Sequence, residues 1–231
     1  VHVGMPDPET AVRVANAMRL RLPVLAALAA NSPFRDGADS GMASARAAEV
    51  GAYPRFEVPR AFRDYEEFRA VADQLIAAAG VTDYTYIWWD VRPHPKLGTV
   101  EVRGMDVQPS AAANAAFAAL IQALAAREVE LPSLTDLQRE ALEESYYQAG
   151  RYGMDSRLMV DGGEAMPARE VAARALEEAR PYAVDLAGAG TLVEIERILA
   201  EGNGAERQRR AFAAGGIPAV LEYLAAAIAV D

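Results

Sequence analysis

The sequence contains no cysteine. That excludes disulfides, thiolate nucleophiles and cysteine-based metal sites. Positive charge is also in short supply: 23 Lys and Arg stand against 33 Asp and Glu, for a formal net charge of −10. Such a surface repels phosphate backbones, which argues against a nucleic-acid partner. A local pocket of arginines can still serve a triphosphate inside an acidic protein. The opening Val1-His2-Val3-Gly4 lacks a basic region followed by an apolar core, so it does not read as a secretory leader. Nor does any apolar run read as long enough to span a bilayer, because the Ala-rich stretches at Leu25–Ala30 and Ala111–Ala126 are broken by Asn, Pro or Gln. The expectation is a cytoplasmic protein with no membrane partner. There is no initiator Met, and the strand-like opening reads as if cut from something longer.

The 231 residues suffice for one large domain or a substantial piece of a larger one. Apolar residues from Pro8 to Ala30 recur at helical spacing, with Asp7 or Pro8 to open the helix and Pro23 predicting a kink or break. After a Gly-, Asp- and Ser-rich loop, Phe34 to Tyr53, the spacing predicts a helix over Phe62–Ala79 that Gly80 ends. Tyr84 to Arg92 is aromatic and β-branched and reads as a strand. Pro93-His94-Pro95-Lys96 reads as a turn, and Leu97–Arg103 as the second strand of a hairpin. Helices are predicted over Ser110–Glu128, Thr135–Ala149, Ala168–Leu186, Leu192–Ala200, Ala205–Ala213 and Pro218–Val230, with Gly and Pro between them. The fold class is α+β: a few antiparallel strands packed against many helices. Three strands make a small sheet, one better served by partners from outside the chain.

Alternation across the hairpin puts Trp88, Asp90 and Arg92 on one face and Ile87, Trp89 and Val91 on the other. In the second strand Val100 and Val102 share the apolar face, leaving Thr99, Glu101 and Arg103 on the polar one. Two neighbouring strands thus each offer an acid and an arginine to one surface. Such a surface can hold Mg²⁺ through carboxylates and phosphate oxygens through guanidinium groups; it can equally be a set of cross-strand ion pairs on a solvated face. His94, between two prolines, reads as an exposed turn residue rather than a ligand. Asp155 and Asp161-Gly162-Gly163 read as turns, since EF-hand spacing is missing. Gly202-Asn203-Gly204 reads as a helix-separating turn, followed by Arg207, Arg209 and Arg210 on a solvated face.

Several segments, in order, resemble the glutamate–cysteine ligase type 2 or carboxylate–amine ligase family, a relative of glutamine synthetase. Val1-His2-Val3-Gly4 matches the second half of a His-Val-His-Val-Gly motif. Leu22-Pro23 through Ala29-Ala30-Asn31-Ser32-Pro33, with Gly37, Gly41 and Ser44-Ala45-Arg46, resembles a Leu-Pro … Ser-Ala-Asn-Ser-Pro … Gly … Gly … Ser-x-Arg signature. Trp89-Asp90-Val91-Arg92-Pro93, Thr99-Val100-Glu101-Val102-Arg103 and Asp106 resemble the next block. Arg151-Tyr152-Gly153 and Gly202-Asn203-Gly204-Ala205-x-Arg207-Gln208-Arg209 resemble two more.

The resemblance implies a glutamine-synthetase-like antiparallel sheet holding ATP, Mg²⁺ and an amino-acid substrate. ATP would convert a carboxylate, plausibly the side chain of glutamate, to an acyl phosphate that an amine then displaces. It implies Glu101 as a Mg²⁺ ligand, Arg103 facing the phosphates or acyl phosphate, and His2 near the ATP phosphates. Arg46 is implied near the substrate carboxylate or transferred phosphate, and Arg151 in the same pocket. Phosphoryl transfer needs cations around the γ-phosphate, so a chain without cysteine is no obstacle. The sequence departs from the family at Tyr146-Tyr147-Gln148, where Asn and Trp are usual. The motif's first histidine and a Gly-x-Glu-Glu-Glu strand would precede Val1. The expectation is therefore the C-terminal portion, residues 1–231, of a single carboxylate–amine ligase domain. It would be completed by its own N-terminal segment or by a second copy, and its partners are small amino-acid and amine substrates. The alternative is a degenerate, non-catalytic member that binds a nucleotide or an amino acid or serves assembly.

Overall fold

A computed structural model describes residues 1–132, 137–160, 163–186 and 188–228. The molecule is built around α1 (Pro8–Ala29). Asp7 opens this helix by accepting from the Thr10 backbone N–H and hydroxyl at 2.8 and 2.7 Å, with Pro8 in the first turn where no N–H is needed. Of the kink or break expected at Pro23, the break does not occur: α1 runs on through it. Every residue from Leu22 to Ala29 is buried, so packing on all sides holds the helix where local preference alone would end it.

One three-stranded antiparallel sheet lies on α1. β1 (His2–Gly4) pairs with β5 (Thr99–Val102), which pairs with β4 (Val91–His94), giving the order β1-β5-β4. Val91, Val100 and Val102 are fully buried against the α1 core. Each such valine contributes roughly 1.5–3 kcal/mol of burial. A one-residue slip would turn all three outward, so this face fixes the register. Pro93 is tolerated because β4 is an edge strand.

The hairpin is shorter than the aromatic run suggested. Tyr84–Tyr86 forms a 3₁₀ turn instead of a strand, because the Asp83 carboxylate accepts from the Thr85 N–H at 2.8 Å. The turn that joins the strands follows His94, which belongs to β4. Two further hairpins were not anticipated: β2 (Phe34–Arg35) with β3 (Ala38–Asp39), and β6 (Arg157–Met159) with β7 (Ala165–Pro167).

The remaining helices are α2 (Ala45–Val50), α3 (Tyr65–Ala79), α4 (Ala111–Glu130), α5 (Arg139–Tyr152), α6 (Ala168–Asp185), α7 (Val193–Glu201) and α8 (Gly204–Ile228). Gly80 ends α3 in the left-handed conformation, φ 63°, as expected. Thr135, Asp161, Gly162 and Val230, where elements or turns were predicted, lie outside the described residues. Pro181 does not separate elements; α6 runs through it. α4 and α6, both rich in alanine, pack on each other and on α1, and α5 packs on α1 as well. Phe62, Phe68 and Trp89 form a smaller aromatic core with Val12.

By length and composition α8 is long and apolar enough to cross a membrane, with a mean hydropathy of 1.6, so the expectation that no segment qualifies does not hold there. Gly215 and Gly216 are non-helical, however, and divide it into Gly204–Ala214 and Ile217–Ile228. At 1.5 Å per residue neither piece reaches across about 30 Å of hydrocarbon.

Candidate active site

The outer face of the sheet carries three polar rungs. His2, Glu101 and Arg92 lie directly opposite one another across β1, β5 and β4; Gly4, Thr99 and His94 form the neighbouring rung. On the other side the ladder continues past the strands, where the Arg103 N–H donates to the Asp90 carbonyl at 2.9 Å. Alternate residues share a face, so Asp90, Arg92, Glu101, Arg103 and His2 are brought to one surface.

Glu101 is the centre of this surface. Its Oε2 accepts from Arg92 Nε at 2.7 Å, and its Oε1 lies 3.6 Å from His2 Nε2. Burial pushes the Glu101 carboxyl up, but the Arg92 hydrogen bond and charge, with Arg103 and His2, outweigh burial and hold it below its ordinary value. Arg92 is itself buried and hydrogen-bonds the carbonyls of Tyr84, at 2.9 Å, and Ile87. It fastens the 3₁₀ turn to the sheet and orients Glu101. Burial lowers the His2 pKa against the opposing pull of Glu101, with His94 and Arg92 adding to the lowering. His2 Nδ1 lies 3.0 Å from the Thr99 hydroxyl, and its ring meets His94 edge-on at 5.3 Å. His94 is half-buried and 3.3 Å from the Tyr84 hydroxyl. It is a wall of this face and not the exposed turn residue expected of a histidine between prolines.

Arg46 and Arg103 meet at the α2 end of the sheet, where Arg46 Nη2 donates to the Arg103 carbonyl at 3.3 Å. The Arg103 guanidinium lies over the Phe56 ring at 5.2 Å, and burial lowers its pKa in spite of Glu101. Arg151, predicted for the same pocket, packs instead beside Gly41 and Met42, with its guanidinium 5.9 Å from the Tyr152 ring. Trp88 falls in the loop before β4 and meets Phe56, Tyr86 and Arg55.

Asp90 carries more weight here than its residue type alone signalled. It is 1% exposed, and its Oδ1 has no hydrogen-bond partner. Burial pushes its pKa up to about 6, against the pull of Arg46, Arg103 and the Tyr146 hydroxyl. Tyr146, on α5, donates to the Gly104 carbonyl at 2.8 Å and closes over Asp90.

Asp106 is the junction that sequence reasoning matched but gave no role. Its Oδ2 accepts from the Asn31 N–H and the Ser32 hydroxyl, and its Oδ1 from the Ser44 hydroxyl, all at 2.8 Å. Ser32 Oγ in turn accepts from the Arg46 N–H at 3.3 Å. Asp106 therefore ties the loop after α1 to the start of α2 and sets where Arg46 stands. The Gly202-Asn203-Gly204 segment is also more than a spacer. Asn203 and Glu206 cap α8 reciprocally, Asn203 Nδ2 donates to the Ala27 carbonyl, and Gln208 donates to the Asn31 carbonyl. Arg209, expected on a solvated face, donates to both Asp39 carboxylate oxygens at 2.9 Å and to the Met42 carbonyl.

Among the described residues no group of three or more His, Asp or Glu side chains converges to hold a metal ion. Mg²⁺ asks for near-octahedral oxygen coordination. Glu101, with one oxygen already taken by Arg92, can offer it a single ligand and does not by itself make a metal site. The arginines, by contrast, suit an anionic phosphate or carboxylate.

Comparison with known proteins was decisive: the description "Glutamate-cysteine ligase family 2" matches residues 1–222. The chain belongs to this family. A Rubrobacter xylanophilus protein named "Putative glutamate--cysteine ligase 2-3" is 40% identical over 99% of this chain and 63% of its own length. A Haloquadratum walsbyi protein named "Glutamate--cysteine ligase" is 38% identical over 97% of this chain and 60% of its own length. A protein of the same name from Natronomonas pharaonis is 36% identical over 95% of the chain and 59% of its own length. The chain thus spans about three fifths of the curated relatives it matches. Membership in glutamate-cysteine ligase family 2 accounts for the ordered series of segments and points to a ligase.

Proposed function

We propose that the chain supplies the phosphate- and substrate-facing surface of an ATP-dependent carboxylate–amine ligase that activates a carboxylate, plausibly the side chain of glutamate, as an acyl phosphate. The observation that carries this reading is the convergence of Arg46 and Arg103 beside the His2–Glu101–Arg92 rung. Two arginines with donors to spare suit the charge that spreads over a transferring phosphoryl group. Arg92, held by Glu101 and by the carbonyls of Tyr84 and Ile87, positions Glu101. His2 stands at the open end of the rung, where a phosphate oxygen would receive its N–H. ATP supplies the phosphoryl group. Glu101 Oε1 would give Mg²⁺ one ligand, the rest coming from the nucleotide, water and protein outside these 231 residues. Arg151 lies further along α5 and would act on this surface only through the Gly41–Met42 loop. The reaction consumes ATP, which suits the cytoplasm, and its partners are the amino-acid and amine substrates together with the remainder of the family's domain or a second copy.

The test is Mg²⁺-dependent ADP formation from ATP, glutamate and a panel of amines. It would be run on the 231-residue chain and on the chain joined to an upstream family segment. Amine-dependent ADP in the joined protein, abolished by Glu101→Ala, is the expected result. ADP formation absent from both proteins would overturn the reading. A second reading, a nucleotide-binding member without turnover, is favoured by Arg92 holding one Glu101 oxygen at 2.7 Å. It predicts nucleotide binding, unaffected by Glu101→Ala, with no ADP.

A further inference from the structure

A cleft of about 430 Å³ lies between the start of α4, α7 and the second half of α8. None of the residues assigned to the phosphate- and substrate-facing surface lines it. Ile198, Tyr223, Ala226 and Ala227 give it largely apolar walls. Two arginines also line it, and they are unequally engaged. Arg197 is closed on Glu194, with Nε and Nη2 at 2.9 and 2.5 Å from one carboxylate oxygen. Arg207 is not closed on anything. Its side chain is 13% exposed, and its Nε is buried without a hydrogen-bond partner. Its Nη2 makes two long contacts, 3.4 Å to the Arg197 carbonyl and 3.5 Å to Oε2 of the largely exposed Glu201. A well-formed guanidinium–carboxylate bond spans about 2.7–2.9 Å. Arg207 is therefore a nearly buried cation short of acceptors, a costly state that an incoming anion relieves. Ser110, Ala112 and Ala113 bring the first turn of α4 to the same cleft, and its dipole also favours negative charge. Glu194 and Glu201 in the lining weigh against a second negative charge on the ligand. The apolar walls ask for a hydrocarbon body.

The cleft has a sparsely buried lid. Gly215 and Gly216 interrupt α8, and within Ile217–Ile228 only Val220 is buried. A molecule reaching from Arg207 to Tyr223 and Ala226 would bridge the two pieces of α8 and add apolar contact to the outer one. We propose that this cleft is a second ligand site, taking a singly charged carboxylate with an aliphatic body. The carboxylate sits on Arg207 and the body against Ile198, Tyr223 and Ala226, and occupancy fastens the Ile217–Ile228 helix to α4 and α7.

Calorimetric titration of the full chain at pH 7.5 with n-hexanoate, n-hexanol, n-hexylamine and inorganic phosphate tests the assignment. Saturable binding of n-hexanoate is expected, with the other three each weaker by about tenfold or more, the scale of one lost hydrogen bond to a charged group. Arg207→Gln should erase the preference for hexanoate over hexanol. Ala226→Trp, which fills the cleft from an exposed position of α8, should abolish binding without touching any charge. Saturating hexanoate should also slow amide exchange across Ile217–Ile228 severalfold. No saturable hexanoate binding, equal or tighter binding of any of the other three probes, binding unchanged in Ala226→Trp, or exchange in Ile217–Ile228 indifferent to hexanoate would each overturn the proposal. Should Arg207→Gln fail to fold, the probe comparison in the parent chain and the Ala226→Trp result decide. Because the site is separate from the proposed active site, hexanoate binding does not depend on whether ADP is formed.

Discussion

Arg92 and Glu101 face each other across β4 and β5 with Nε 2.7 Å from Oε2, while the far side of the guanidinium holds the carbonyls of Tyr84 and Ile87. One side chain thus joins the edge of the sheet, the acid at its centre and the loop before it. Truncation leaves Glu101 half-buried without its counter-charge and two carbonyls without donors. Arg92→Ala is expected to cost about 3 kcal/mol, read by urea denaturation. Arg92→Lys should recover little of it, because one ammonium cannot serve the carboxylate and the loop in the same fixed fork. A loss below about 1 kcal/mol would mean that the guanidinium is not holding the loop.

Asp106 organises the other side of the site. Asp106→Ala leaves the Asn31 N–H and the hydroxyls of Ser32 and Ser44 without their acceptor. A loss of about 3 kcal/mol is expected by calorimetric melting, given hydrogen bonds to a charged group. Asp106→Asn keeps one acceptor oxygen and should fall between. Because Ser32 also holds the Arg46 N–H, on the proposed ligase reading either variant should weaken ADP formation in the joined protein more than its melting temperature suggests.

The helices and the buried face of the sheet were legible because they repeat. Val91, Val100 and Val102 alternate, and Asp7, Gly80 and the Gly215-Gly216 pair mark ends by conformational rules that act within a few residues. What escaped was decided at a distance. Pro23 stays helical because of what surrounds it. The strand reading of Tyr84–Tyr86 failed because Asp83 caps a turn there, a local sign that the aromatic run masked, and Arg92 holds the turn's carbonyls from β4. β2, β3, β6 and β7 run to two or three residues, too short for a period of two to show. Glu101, Arg103, Arg46 and His2 were found by resemblance and alternation. The burial of Asp90 was not, because it depends on Tyr146 arriving from another helix.

Gly204 is where α8 meets the loop after α1. A Cβ built there would lie 1.9 Å from Asn31 Oδ1, which also accepts from Gln208 at 2.8 Å, while Asn31 Nδ2 donates to the Val107 carbonyl. Asn31 is therefore pinned at both ends of its amide and cannot swing aside. Gly204→Ala is expected to cost about 1–3 kcal/mol by thermal melting, the range for forced overpacking. Adding Asn31→Ala removes the collision, so the double variant should lose less than the sum of the singles. Strict additivity would place the strain elsewhere.

Asp90 opposes stability near neutral pH. Its carboxyl titrates at about 6 in the folded protein, above the ordinary aspartate value of 3.8, because burial disfavours the charge more than its neighbours favour it. The groups facing it are Arg46 from α2, Arg103 beyond β5 and Tyr146 from α5. A folded pKa raised above the unfolded one means that the folded state holds its proton more tightly. Its contribution is therefore full below pH 4 and is lost as pH rises through 6. The loss is on the order of 3 kcal/mol, from about 1.4 kcal/mol per pH unit. Asp39, Asp64 and Asp83 have lowered values and pull the other way at lower pH, so the useful quantity is the difference between two proteins. Asp90→Asn removes the titration while keeping the shape. The wild type should lose stability relative to Asp90→Asn between pH 4 and 7, leaving the variant the more stable at pH 7.5, by urea denaturation across that range. A flat difference would mean that Asp90 is solvated as well as buried.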